Sequence, residues 1–362
     1  MPNDLSLHSA GTVRAGSTVV PSRILIVSDA WTPQVNGVVR TIATVADELT
    51  AMGHVVEVIG PDRFRTVPLP TYPDIRLAVL PGRRLGRLIE AFAPDALHIA
   101  TEGPLGGAAR RWALRHGRAF TTAFHTRFPE YLHARTRLPP SWTYARLRRF
   151  HGAGQGLMVA TESLRSELAD RGFGSLRSWS RGVDLHLFRP DRHGEVPDPF
   201  QVLPRPIFLY VGRVAVEKNL PAFVGLDLPG SLVVVGDGPA LSELRRTYPK
   251  AHFLGAMHGE ALSRAYASAD VFVFPSRTDT FGLVVLEALA SGTPVAAFPV
   301  SGPRDVLHGA SGHVGALDTD LRRAALAALA ADPGACRAHA ELFSWRACAE
   351  LFRSHLVPLG GT

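Results

Sequence analysis

Apolar positions along the chain alternate between short continuous runs and stripes at helical spacing. The first run is Arg23-Ile24-Leu25-Ile26-Val27-Ser28, followed by a polar turn at 29–37. Val38, Ile42, Val45, Leu49 and Met52 then recur every third or fourth position, one face of a helix that ends near Gly53, and Val55–Ile59 is the next run. Strand, helix and strand in that order form a βαβ unit, which predicts a parallel, doubly wound sheet. Further strands are predicted at 96–99, 120–124 and 157–160. A second series starts at Ile207-Phe208-Leu209-Tyr210-Val211 and continues at 231–235, 253–254, 271–274 and 294–298. Runs that are apolar at every position suit a sheet covered on both faces. Between the two series, 189–206 carries five prolines and several charges and reads as a linker. Trp345, Cys348, Leu351 and Phe352 mark an amphipathic helix near the end. Two α/β domains joined by a polar hinge predict a ligand cleft where the carboxyl ends of both sheets meet.

A chain of 362 residues is too long for one ordinary core and suits two domains. Its charge is unevenly spread. Residues 1–200 hold 25 Arg against 18 acids, whereas 201–362 hold 14 bases against 14 acids, so the whole formal +7 lies in the first half. Arg83-Arg84, Arg110-Arg111 and Arg148-Arg149 are its densest points. Such a patch suits an anionic membrane surface, at about 1 kcal/mol per basic group close to the lipid. Nucleic acid is not expected, because the chain has no recognition helix, zinc spacing or RNA-binding signature. A solvated Arg-rich surface is the remaining reading, since charge balance does not identify a partner. Cys336 and Cys348 lack metal-ligand spacing and point to a reducing, cytoplasmic compartment. Residues 1–22 contain no apolar core of signal-peptide length and are expected to be a disordered extension. No stretch approaches 18 uninterrupted apolar residues, so no membrane span is expected.

The densest chemistry lies at 275–292. A polar turn there joins the run Val271–Phe274 to the helix-forming stretch Leu283–Ala290, which Gly292 and Pro294 stop. The turn aims a helix N-terminus, with its unpaired N–H groups, above the strand end, a place for a phosphate. Asp279 and Glu287 stand eight positions apart, which is up to ~12 Å at about 1.5 Å rise per residue. That gap is too wide for one metal ion or a shared proton. It suits two hydroxyl-bearing sugars flanking a diphosphate, because ionised carboxylates are acceptor-only groups. The plainer reading makes both acids solvated charges, but Glu287 is the only charged residue between 281 and 303.

At these residues the chain resembles the retaining glycosyltransferases of the GT-B fold, family 4, which include bacterial mannosyltransferases and synthases of glucosyl and sulfoquinovosyl diacylglycerol. The family pattern is E-x7-E, and here the first acid is Asp279, one methylene shorter. The resemblance runs from Ser22 to about Leu356. It implies two Rossmann-like, doubly wound domains facing a central cleft: an acceptor domain at 23–188, the linker at 189–206, a nucleotide-sugar domain at 207–340, and a helix within 341–362 that crosses back to the first domain. It also implies that Arg213 and Lys218 neutralise the donor diphosphate as the nucleotide leaves. Lys218 is one of two lysines against 37 arginines, and its compact ammonium is something Arg cannot copy. A surface pair with Glu217 is the alternative there. Asp279, Thr280, Phe281, Gly282 and Glu287 complete the donor site. Gly236 of Gly236-Asp237-Gly238-Pro239 lets backbone approach a base or sugar, or simply makes a tight turn. The stretch 255–258 is where the family holds the base.

In the first domain, Gly37 lies in the loop that the family sets against the donor phosphates, and a glycine needed only for chain geometry is the alternative. His125, in Phe124-His125-Thr126-Arg127, matches the histidine that contacts the donor sugar near the reacting carbon. Asn36, Glu102 and Tyr131 are the acceptor-side candidates, with Arg181 facing the same cleft. Hydrolases of glycosides need a nucleophile and an acid as paired carboxylates, which the chain does not offer. By resemblance, attack occurs on the face that the leaving group departs from, and the departing phosphate takes the proton. The co-substrate would be a UDP- or GDP-hexose, with no tightly bound cofactor. No metal requirement is expected, since Asp318-Thr319-Asp320 imitates a D-x-D motif but precedes a helical stretch and reads as its cap. The expected acceptor is a membrane lipid, diacylglycerol or a related glycolipid, reached from the inner face of the cell membrane. A soluble or polysaccharide-precursor acceptor and a non-catalytic sugar-nucleotide-binding protein are the alternatives. A nicotinamide dehydrogenase is excluded, because 28–37 lacks G-x-G-x-x-G, and neither Lys218 nor Lys250 has the setting of a pyridoxal phosphate lysine.

Overall fold

The computed structural model describes residues 22–34, 36–69, 72–127, 129–130, 137, 139–190 and 199–360. The expected extension at 1–22, Ser22 apart, Tyr131 and the centre of the linker at 191–198 lie outside the described residues. The strands are β1 (Arg23–Val27), β2 (Val55–Ile59), β3 (Thr66–Leu69), β4 (Tyr72–Ala78), β5 (Ala96–Ile99), β6 (Thr121–Phe124), β7 (Gly156–Val159), β8 (Leu176–Ser178), β9 (Ile207–Val211), β10 (Ser231–Val235), β11 (His252–Gly255), β12 (Val271–Phe274), β13 (Val295–Ala297) and β14 (Gly315–Leu317). The helices are α1 (Gly37–Ala51), α2 (Gly82–Phe92), α3 (Pro104–Arg115), α4 (Pro140–His151), α5 (Glu162–Asp170), α6 (Pro221–Val224), α7 (Leu241–Thr247), α8 (Gly259–Ala267), α9 (Leu283–Ala290), α10 (Ser301–Val306), α11 (Leu321–Ala328), α12 (Pro333–Ala340) and α13 (Trp345–His355).

Two six-stranded parallel sheets result, ordered β2-β1-β5-β6-β7-β8 and β11-β10-β9-β12-β13-β14. Counted from its own first strand the second runs 3-2-1-4-5-6, the doubly wound order whose ligand crevice opens where the winding reverses. That reversal falls between β9 and β12, and in the first sheet between β1 and β5. The covering on both faces follows from the sequence of single strands. In β9, Ile207, Leu209 and Val211 enter one apolar layer with Tyr266 and Leu286, while Phe208 and Tyr210 enter the other with Phe223 and Leu244. In β1, Leu25 and Val27 meet Leu85 and Leu105, while Ile24 and Ile26 meet Ile42 and Val45.

The last helix belongs to the first core. Ser344 caps α13 by accepting from the Ala347 amide, and Cys348, Ala349 and Phe352 are buried against Ile42, Val45 and Leu49 of α1. Trp179 Nε1 donates to the Cys348 carbonyl at 3.2 Å. Gly182, on the outgoing crossing between the sheets, leaves room for Trp345 on the returning one: a Cβ there would stand 2.4 Å from the Trp345 nitrogen. Further contacts close the cleft from the side. Ser163 of α5 donates through its amide (3.0 Å) and hydroxyl (2.6 Å) to the Asp305 carboxylate of α10, and Arg127 bridges Glu167 and Ser301. The antiparallel hairpin β3–β4 was not expected from the sequence, because Pro68, Pro70 and Pro73 break its apolar alternation.

Candidate active site

The loops after β9 and β12 meet at the reversal of the second sheet. Lys218 ends a single 3-10 turn, and Asn219 next to it has the left-handed φ of 56° and donates to the Pro275 carbonyl at 3.1 Å, tying one loop to the other. Lys218 Nζ lies 2.5 Å from Asp279 Oδ1. The second oxygen of Asp279, Oδ2, is buried with no hydrogen-bond partner among the described residues. Arg213 is half-buried on the same loop, its carbonyl accepting from the Tyr210 hydroxyl at 2.9 Å. Gly236 sits beside these groups for a packing reason: its φ is 152°, and a Cβ would stand 1.9 Å from the Gly212 carbonyl oxygen. The glycine lets two loops touch.

Gly282 starts α9 with a φ of 86°, a left-handed turn that glycine adopts freely. Phe281 turns its ring into the core beside Phe343, so the turn offers backbone rather than that side chain to the cleft. The Thr280 hydroxyl donates to the His125 carbonyl at 2.7 Å, joining the two sheets' loops directly. Glu287 is 3% exposed. Its Oε2 accepts from the Tyr266 hydroxyl at 3.0 Å, and its Oε1 pairs with Arg40 of α1 across the cleft. Burial pushes the Tyr266 phenol well above its usual range, so it remains a donor. Gly37 begins α1 opposite α9, and a Cβ there would meet only Leu283, at 3.8 Å. A cavity of about 540 Å³ continues from Arg40 and Glu287 to the segment 182–188 and the first turn of α13, within the size range of small-ligand sites.

The first sheet's wall carries its polar groups inside the layer. His125 follows β6. Burial, then the charges of Arg181, His98 and His151, hold its pKa well below 6.5, so the ring is neutral. An Arg181 N–H lies 3.4 Å from Nδ1. A guanidinium only donates, so Nδ1 is the acceptor and the proton resides on Nε2. That Nε2 is buried with no partner among the described residues. Arg181 is 4% exposed and lies 4.1 Å above the Trp179 ring, donating to the carbonyls of Trp179 and Ser180. Burial lowers its pKa to about 10, which still leaves a cation at neutral pH.

Two further side chains shape this wall. The buried carboxylate of Asp29 accepts from the amides of Leu105 (2.7 Å) and Gly106 (3.1 Å) and from the Thr101 hydroxyl (2.9 Å), capping α3 and fixing the turn that carries Glu102. Glu102 Oε1 lies 3.1 Å from His151 Nε2. Asn36 is committed elsewhere: its Oδ1 accepts from the amides of Val38 and Val39 as the cap of α1, and its Nδ2 donates to Gln34. Asp320 likewise caps α11 through the amides of Arg322 and Arg323. Reading the sequence alone missed Arg40, Tyr266, Asp29 and His151. Tyr266 and Arg40 look like ordinary helix residues, and His151 ends a basic stretch that reads as surface.

Comparison with known proteins decides the family. The profile described as Glycosyltransferase Family 4 matches residues 35–187, and that described as Glycosyl transferases group 1 matches 205–332. A GDP-mannose-dependent alpha-mannosyltransferase of Mycobacterium tuberculosis (strain CDC 1551 / Oshkosh) is 33% identical over 311 residues, covering 79% of this chain and 81% of that protein. The chain belongs to glycosyltransferase family 4. Another relative of this family 4 glycosyltransferase is the alpha-monoglucosyldiacylglycerol synthase of Streptococcus pneumoniae (strain ATCC BAA-255 / R6), 28% identical over 76% of this chain and 70% of that protein. Among solved structures, sucrose-phosphate synthase (tll1590) from Thermosynechococcus elongatus superposes with a TM-score of 0.72 at 21% identity, covering 92% of this chain and 98% of that one. The two parallel sheets are those of the GT-B fold, and this family 4 glycosyltransferase is a hexosyltransferase.

Proposed function

We propose that this enzyme moves a hexose from a UDP- or GDP-hexose to a hydroxyl of a membrane lipid, diacylglycerol or a related glycolipid, with retention at the anomeric carbon. One observation carries the donor half. Two buried polar atoms on opposite walls, His125 Nε2 and Asp279 Oδ2, have no protein partner among the described residues, and Thr280 bonds directly to His125. A neutral imidazole that donates and a carboxylate that accepts suit the hydroxyls of a hexose placed between them. Buried polar groups without partners are costly unless a ligand completes them. Lys218 and Arg213 flank the diphosphate, and the ribose hydroxyls take the carboxylate of Glu287 from Arg40. Gly37 leaves room for the phosphates opposite the first turn of α9.

In the reaction, the bond from the anomeric carbon to the diphosphate oxygen breaks. The acceptor oxygen bonds to the same face of that carbon, and its proton passes to the departing phosphate. Lys218 and Arg213 stabilise the charge that grows there. The second domain holds the donor and the first the acceptor, with 189–206 as the hinge.

The lipid half is supported by the surface of α4. Trp142 is 74% exposed, and Arg146 and Arg149 follow on the same stripe, four and then three positions later. Arg110 donates to the Arg149 carbonyl, which gathers the basic groups of α3 and α4 on one face. An exposed indole among arginines fits the headgroup layer of an anionic membrane at the inner face of the cell. Among the described residues no helix is long and apolar enough to cross a membrane. The test is mass spectrometry of lipid extracts after the purified protein meets diacylglycerol-containing phosphatidylglycerol vesicles with UDP-glucose, UDP-glucuronate or GDP-mannose, each separately. A glycosylated diacylglycerol is expected with one donor. Sugar transfer to a soluble polyol with no lipid product would overturn the lipid acceptor.

A further inference from the structure

His151 is one of the most enclosed polar residues of the molecule, with a side chain 1% exposed, and it is the last residue of α4. Both ring nitrogens are engaged. Nδ1 lies 3.0 Å from the Thr122 hydroxyl on β6, and Nε2 lies 3.1 Å from Glu102 Oε1. The rings of Phe150, Phe124 and Phe173 stand around the imidazole, with centroids 5.2, 6.1 and 6.2 Å away. Apolar neighbours offer it no other polar partner. Glu102 is therefore held twice: Asp29 fixes the turn that carries it, and His151 fixes its head. Yet Glu102 keeps a side chain 26% exposed. It stands at the reversal of the first sheet, on the loop after β5 and beside the β6 end that bears His125. Nothing in the donor site uses it. A carboxylate this constrained, still open to solvent at the carboxyl end of a sheet, is built to accept a hydrogen bond from outside the protein.

We propose that His151 is a positioning residue that aims the Glu102 carboxylate at the hydroxyl of the incoming lipid. The hydroxyl donates to Glu102 as it approaches, which turns its lone pair to the anomeric carbon. As the anomeric bond opens, that single hydroxyl hydrogen swings from Glu102 to the departing diphosphate oxygen, which takes the proton, so Glu102 orients the acceptor on approach and ends the cycle ionised as it began. The same helix that shows Trp142 and Arg146 on its outer side ends in the imidazole, which links the membrane face to the cleft through one rigid element.

This inference rests on the lipid-acceptor reading above. The test measures nucleotide release from the productive donor, with and without phosphatidylglycerol vesicles carrying dioleoylglycerol. Three variants are compared with the wild type. His151→Gln places an amide nitrogen near the site of Nε2 and keeps the bond to Glu102. His151→Asn places one near Nδ1 and loses that bond. Glu102→Gln removes the charge at a partly exposed position and serves if either His variant fails to fold. Glu102→Gln and His151→Asn are expected to lower the ratio of vesicle-stimulated to unstimulated release at least tenfold, mostly through a raised KM for dioleoylglycerol. His151→Gln should stay within about threefold of the wild-type ratio. Equal losses in the two His variants, or a fall in kcat with KM unchanged, would overturn the positioning role. Wild-type release that vesicles fail to stimulate would overturn the lipid reading itself, and the wild-type arm alone identifies that outcome.

Discussion

The wall built on β9 and β12 presents paired charges: Lys218 with Asp279 between its own loops, and Glu287 of α9 with Arg40 of α1 across the cleft. The wall built on β1, β5 and β6 presents buried groups fixed by the fold: His98, His125 and His151 beside Arg181, and Asp29 under Glu102. Loop charges that neutralise each other can exchange partners when a charged ligand arrives. Side chains enclosed by the fold have no such freedom, because packing and fixed hydrogen bonds hold each in one orientation. The two walls thus suit different ligands. In the reaction proposed above, one would take a polyanion whose charge changes during the reaction, and the other an uncharged hydroxyl that must only be aimed.

The largest test of this difference is Lys218→Ala. It should lower the single-turnover rate by roughly 10²–10³-fold, the usual effect of removing one group that stabilises a developing oxyanion, with a smaller loss in donor affinity. Equal losses in both would mean that Lys218 serves ground-state binding instead. Glu287→Ala comes next. Removing a buried carboxylate that pairs with hydroxyls should weaken nucleotide binding about 10–100-fold, from about 1.5–3 kcal/mol for a charged hydrogen bond. Calorimetry with UDP and GDP reads it, and unchanged affinity would remove Glu287 from the donor site.

The fixed wall makes a prediction about acid. Burial lowers His98 to about 3 and His125 well below 6.5. The unfolded chain therefore binds protons at these rings before the folded one does. Stability is full above about pH 6.5 and is lost as pH falls below it, by about 1.4 kcal/mol per pH unit for each ring. Urea midpoints between pH 7.5 and 5 should fall accordingly, and a flat profile would refute neutral burial. The smallest effect concerns the thiols. Burial pushes Cys336 up to about 12 and Cys348 up to about 11, and each sits in a different core, Cys336 with the second sheet and Cys348 with the first. Modification by a disulfide reagent then reports local opening of each half. UDP at about twice its Kd should slow Cys336 about threefold and Cys348 less. Equal slowing would mean that the halves open together.

The legibility of the two walls differs in the same way. The strands of the second sheet, the turn at 275–282 and the pair Asp279 and Glu287 are neighbours in sequence, so local pattern reveals them. The first wall joins residues far apart: Glu102 meets His151 and Asp29 meets Gly106 across 49 and 77 positions, distances at which periodicity carries no information. Gly236 shows the opposite limit. Its glycine was visible, but the Gly212 carbonyl that demands it was not. Asn36 reads as an acceptor-side candidate until the amides of Val38 and Val39 are seen on its oxygen.

The returning helix α13 also sets an order of events during synthesis. The Trp179 indole waits for the Cys348 carbonyl, 169 residues later, and Ala96 at the start of the inner strand β5 pairs with Pro358. At roughly 5–20 residues per second, that gap lasts on the order of ten to thirty seconds. Throughout it the apolar faces of Ile42, Val45 and Leu49 lack their cover, while the second sheet is made in one piece. Although its residues emerge first, the first half is completed last, and a nascent chain released before α13 would hold a packed second half beside an open first one.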